Sequence, residues 1–232
     1  MKNVGECLRA AALVAAFAAA LAAAAEVKQA APEHQHADFP AAVQADARYV
    51  VYSHGRIAEG SEERPVSAEH GVYDLPAIRA SLASAGDAQV IAPHRAKDAD
   101  TTLAAQHLEN GVRRLIAGGV KPSRITLVGF SRGGYITALA SSRLADLHIN
   151  TAILAICTDG DPAKVPMTLA GNVLSIYETS DDVGSCHRLR ERSRAAQFEE
   201  IGLSTGLGHG ALYRPIEAWI GPLQAWMART SR

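Results

Sequence analysis

The feature that most restricts this chain is a change of hydrophobic period that recurs from residue 48 onward. Runs of aliphatic, β-branched and aromatic residues at 49–52, 89–92, 124–128, 151–156 and 173–177 predict strands, with a weaker one at 197–201. Between them, apolar residues return at helical spacing. Leu75, Ile78 and Leu82 form one such set, Leu108, Val112 and Leu115 a second, Ile136 and Leu139 a third, and Trp219, Leu223 and Trp226 the last. A charged helix over 186–196 precedes the weak strand. Strands this apolar must be covered on both faces, and intervening helices make their pairing parallel. The expected fold is α/β: a mostly parallel, doubly wound sheet of about six strands with helices on both faces, without repeats or a second domain.

Composition narrows what such a domain does. The 23 Lys and Arg nearly cancel the 24 Asp and Glu among 232 residues, and no polybasic run is present. A nucleic-acid reader needs a basic stripe for the phosphates, so that class is excluded. The length suffices for a core that needs no structural metal. Residues 1–25 read differently: Lys2 and Arg9 precede an uncharged, alanine-rich stretch that ends at Ala23-Ala24-Ala25. That is the pattern of a secretory signal peptide, too short and too weakly apolar for a spanning helix. Residues 26–47 follow as a solvated N-terminal arm, and residues 48–232 as the folded domain. His34 and His36 on the arm form an H-x-H pair, but two ligands on a flexible segment do not make a metal site. No cofactor motif is present, and no metal site is expected.

The chemistry is carried by Gly129-Phe130-Ser131-Arg132-Gly133, which matches G-x-S-x-G where a buried strand enters and an apolar helix leaves. Gly129, Gly133 and Gly134 remove side chains that would collide at so sharp a turn. A serine there sits over a helix N-terminus, whose dipole favours a developing oxyanion.

With this strand–turn–helix, Ser53-His54-Gly55-Arg56 after the first strand, and Gly208-His209-Gly210 near the end, the chain resembles the α/β-hydrolase superfamily. The likeness spans residues 48–232 and is nearest to small, lidless serine hydrolases. It implies a triad in the order Ser131, Asp181, His209, with Asp182 as the alternative acid. It also implies an oxyanion hole built from the backbone N–H groups of Arg56 and Arg132. His54 is then an organiser of its loop rather than a base. Arg56, Arg95 and Arg132 all follow strands and ring the mouth, with Glu59, Asp98, Asp159, Asp161 and Asp182 on comparable edges to neutralise them. Residues 55–73 form a long polar loop without an apolar lid helix.

The activity so implied is cleavage of a carboxylic ester or thioester through an acyl-enzyme, on a small-molecule acyl substrate, by a periplasmic or secreted protein with no membrane association after leader cleavage. A peptidase or acyltransferase would use the same residues, and a non-catalytic binding protein could share the fold. Removal of the leader leaves Cys157 and Cys186. An even count in an exported protein suggests a disulfide. Both cysteines follow successive strands, whose loops emerge at one edge of a parallel sheet.

Overall fold

The computed structural model describes residues 34–84, 88–158 and 167–231. The leader over 1–25, and Asp159 and Asp161, lie outside the described residues. The strands are β1 (Gln35–His36), β2 (Tyr49–Ser53), β3 (Val66–Ser67), β4 (Gly71–Val72), β5 (Gln89–Ile91), β6 (Ile125–Phe130), β7 (Asn150–Leu154), β8 (Ala170–Glu178) and β9 (Arg194–Leu203). The helices are α1 (Leu75–Ala83), α2 (Thr101–Ala117), α3 (Arg132–Arg143), α4 (His187–Arg192) and α5 (Glu217–Thr230). Seven strands pair in parallel in the order β1-β5-β2-β6-β7-β8-β9, and β3 and β4 make a separate antiparallel hairpin.

Side chains of period two divide the core between the sheet's faces. Val50 and Tyr52 of β2 join Leu75, Ile78 and Leu82 of α1 and Trp219, Leu223 and Trp226 of α5 in one buried cluster. Their neighbours Tyr49 and Val51 join Leu108, Val112 and Leu115 of α2 and Ile136 and Leu139 of α3 in the other. Each fully buried Leu or Ile contributes roughly 1.5–3 kcal/mol, so neither face can be left bare. The helices begin where sequence chemistry allows. The Asp100 carboxylate accepts from the N–H groups of Thr102 and Leu103 at the start of α2, and Asp74 accepts from Ala77 N–H at the start of α1.

Two expectations need correction. The arm over 26–47 is not wholly solvated: Gln35 and His36 pair with Val90 and Ile91 as an edge strand. His36 Nε2–H donates to Gln89 Oε1 at 2.7 Å, so the H-x-H histidine is a strand tie. The charged helix stops at Arg192 instead of 196, because Ser193 leaves it. The Ser193 hydroxyl donates to Leu189 O and accepts from Leu169 N–H, while Arg194 N–H donates to Leu169 O. Pairing with β8 therefore claims residues that local pattern assigns to a helix, a tertiary override of propensity.

The chain leaves β2 toward β5 on one side, then crosses to β6 on the other. The C-terminal ends of β2 and β6 thus flank the switch point of the sheet, where crevices form in this architecture.

Candidate active site

Ser131 occupies the single residue between β6 and α3, with φ 53° and ψ −124°. A non-glycine residue there is strained by about 1–3 kcal/mol and is held only by its surroundings. The holding bonds are visible: Ser131 N–H donates to Leu154 O at 2.8 Å, and its carbonyl accepts from Tyr135 N–H at 3.0 Å, beginning α3. The helix enters against the end of β2, where a Cβ on Gly133 would collide with the carbonyl oxygens of Ser53 and His54. Only glycine permits that approach.

The loop after β2 passes directly over the serine. A Cβ on Gly55 would stand 3.7 Å from the Ser131 Cβ and 2.9 Å from the Phe130 ring. Arg56 and Arg132 each open a helical turn, so their N–H groups have no acceptor within their own helices. His54 is buried, and both its nitrogens are committed: Nδ1–H donates to Gly55 O at 2.9 Å, and Nε2 accepts from Arg95 N–H at 3.0 Å. Burial, reinforced by the Arg95 guanidinium, lowers its pKa from 6.5 to about 3, so the ring stays neutral. Its two nitrogens thus tie the loop after β2 to Arg95.

Two carboxylates partly neutralise the three arginines. Glu59, whose side chain is 2% exposed, meets Arg132 Nη1 at 3.0 Å and Arg95 Nε at 3.4 Å, while Arg56 pairs with Asp98 at 3.2 Å. Arg95 also donates to Ser53 Oγ and His54 O, and Arg132 to Ala99 O.

On the far side, Asp181 and His209 meet. His209 Nδ1–H donates to Asp181 Oδ2 at 2.6 Å, with side chains 21% and 7% exposed respectively. Asp182 is exposed, and the imidazole's hydrogen bond goes to Asp181 instead. The His209 ring lies 4.8 Å from the Phe130 ring, next to Ser131 in the chain. Cys157 and Cys186 are joined, with Cα atoms 5.2 Å apart, and Gly184 N–H donates to Cys157 O at 2.8 Å. The acid-bearing loop is thereby fastened to the end of β7.

Several contributors escaped sequence reasoning. The loop over 55–73 is not featureless: its hairpin delivers His70, whose ring sits 6.3 Å from that of His209 and 5.4 Å from that of Tyr213. Nothing in the local pattern distinguishes this histidine from a solvated one. Glu178 is more legible in retrospect, as a carboxylate closing an otherwise apolar strand. Among the described residues, no three His, Cys, Asp or Glu side chains gather as a metal site requires. Nor, among them, is any helix long and apolar enough to cross a membrane.

Sheet order, elbow and loop positions together give this chain the α/β-hydrolase fold. Solved structures agree. Arabidopsis thaliana SOBER1 superposes with a TM-score of 0.51 at 12% identity, over 80% of this chain and 100% of its own. A structure from work on LipS and LipT, two metagenome-derived lipolytic enzymes, gives 0.55 at 13% identity, over 83% and 99%. An arylesterase gives 0.58 at 14%, over 84% and 79%. No family model and no curated protein matches the sequence. Identities this low speak to the fold alone.

Proposed function

We propose that the chain is an exported serine hydrolase that cleaves a carboxylic ester or thioester through Ser131, His209 and Asp181. The observation that carries the reading is the 2.6 Å Asp181–His209 hydrogen bond, formed by two loops that converge beside the strained Ser131 turn. The names of structural neighbours, which include an arylesterase and lipolytic enzymes, support the same reaction class.

In this mechanism His209 Nε2 removes the Ser131 hydroxyl proton as Oγ attacks the substrate carbonyl. Asp181 holds Nδ1–H, fixes the tautomer that leaves Nε2 free to accept, and stabilises the imidazolium. The tetrahedral oxyanion is met by the N–H groups of Arg56 and Arg132, each such donor lowering the barrier by about 3 kcal/mol in comparable sites. His209 then returns the proton to the departing alcohol or thiol, and a water repeats the cycle to release the acid. The Cys157–Cys186 bond and the leader-like residues 1–25 support an oxidising, extracytoplasmic setting.

The test is labelling with a fluorophosphonate. The native protein is expected to be modified at one serine, and Ser131→Ala to abolish labelling while leaving the circular dichroism spectrum intact. Undiminished labelling of a folded Ser131→Ala protein would refute the assignment.

A further inference from the structure

Glu178 is the last residue of β8, only 1% exposed, and the triad chemistry gives it no part. Its carboxylate takes hydrogen bonds from uncharged hydroxyl and N–H groups. Oε2 accepts from the Thr205 hydroxyl at 2.7 Å and Thr205 N–H at 3.0 Å. Oε1 faces Thr205 N–H at 3.2 Å, Ser180 Oγ at 3.3 Å, Ser180 N–H at 3.4 Å and Thr179 Oγ1 at 3.4 Å. The Ser180 hydroxyl in turn accepts from Gly208 N–H at 3.1 Å.

These partners belong to two different turns. Thr179 and Ser180 lead directly into Asp181, whose own N–H donates to Glu178 O at 3.0 Å. Thr205 and Gly208 belong to the turn after β9 that delivers His209. We infer that Glu178 is a positioning residue: its carboxylate, with the Ser180 hydroxyl, clips the acid-bearing turn to the histidine-bearing turn and so sets the Asp181–His209 distance.

A carboxylate suits this place for a physical reason. The two turns present N–H and O–H donors into one small space, and a carboxylate supplies acceptor sites without a donor of its own. Glutamine would turn an N–H₂ group toward some of those donors. Burial alone would raise the Glu178 pKa, but the bonds from Thr205, Ser180 and Gly206 outweigh it and hold the acid ionised below its ordinary range.

The inference rests on the triad reading for its kinetic consequence, but not for its geometric one. The experiment therefore uses two readouts on Glu178→Gln, Ser180→Ala and Ser180→Thr in the full-length protein. One is turnover of a chromogenic ester. The other is the downfield proton resonance of His209 Nδ1–H, assigned by its loss in His209→Gln. Glu178→Gln and Ser180→Ala are expected to lower kcat about 10- to 100-fold with KM little changed, since misplacement by about 1 Å costs that much. They are also expected to shift or broaden the resonance, whereas Ser180→Thr, which keeps the hydroxyl, resembles the native protein.

Ser180 is exposed, so Ser180→Ala remains folded and decides the matter if Glu178→Gln does not fold. An unchanged resonance with kcat within twofold of native in Ser180→Ala would overturn the clip. If the native protein neither turns over esters nor reacts with a fluorophosphonate, the triad reading falls, and the resonance alone still tests whether Glu178 and Ser180 set the Asp181–His209 bond.

Discussion

The loop after β2 is held by Arg95 and Arg132 on a shared Glu59 and by Arg56 on Asp98, whereas the loop after β8 is held by hydroxyls, backbone N–H groups and the Cys157–Cys186 bond. The difference has an electrostatic meaning. Arg95 and Arg132 share one carboxylate, which leaves net positive charge on the side where an oxyanion would form. Glu178 is ionised among neutral donors and Asp181 lies beside it, which leaves net negative charge where an imidazolium would form. The two sides are thus polarised in the sense that the proposed transition state needs, before any substrate arrives.

Four measurements would sharpen or break this contrast. The largest effect is expected from the acid. Asp181→Asn favours the wrong tautomer of His209 and should lower kcat about 10⁴-fold, as in comparable triads. Asp182→Asn, at an exposed position, should leave kcat nearly unchanged because the ring bonds to Asp181, and the reverse ranking in ester turnover would move the acid by one residue. Next comes Glu59→Gln, which leaves the Arg95 and Arg132 guanidiniums without their shared anion. Breaking a buried ion pair costs about 3–5 kcal/mol, and denaturant unfolding should show the lower end of that range because Arg132 is partly exposed. A loss below about 1 kcal/mol, the surface-pair range, would mean that the ionic brace is unimportant.

Removing the covalent brace by Cys157→Ala with Cys186→Ala should cost about 3 kcal/mol of stability. It should also depress kcat more than KM, since the freed loop carries Asp181. Equal stability of the native and double-alanine proteins under oxidising conditions would show that the bond does not constrain the fold.

The smallest effect is a pH dependence that separates the two sides. His54 binds its proton at about 3 when folded, against an ordinary 6.5, so between those values the unfolded chain holds more protons. Stability contributed by the neutral ring is therefore complete above 6.5 and declines as the pH falls toward about 3, by at most about 1.4 kcal/mol per unit. Glu178 is depressed below 4.5, so its contribution is complete above that value and is lost only on further acidification. The oxyanion side should respond first. Chemical denaturation at pH 6.5 and 5 should show the decline, and His54→Gln should flatten it.

How much of this was legible follows from where each signal resides. The apolar run along β2 and the spacing of Leu75, Ile78 and Leu82 are local, so sheet, helices and elbow could be read directly. The turn that carries Ser131 and the pairing of Cys157 with Cys186 were also accessible, because strand ends in a parallel sheet deliver their loops to one edge. The bracing network was legible only in part: carboxylates including Glu59 and Asp98 were expected to neutralise the arginines, but not which would meet which. Glu59 meets Arg132 across 73 positions, and Glu178 meets Thr205 across 27, distances over which composition says nothing about contact. The edge strand at Gln35–His36 is equally hidden, since its two residues carry no period and acquire extended structure only by pairing with β5.

The strained backbone of Ser131 has an evolutionary consequence. A serine at φ 53° is tolerated at a thermodynamic loss that glycine would not incur. A descendant without the proposed reaction could recover that loss by one substitution, Ser131→Gly. Under the proposed chemistry, the Ser131 hydroxyl sets activity against stability at the residue where the two demands oppose each other most directly.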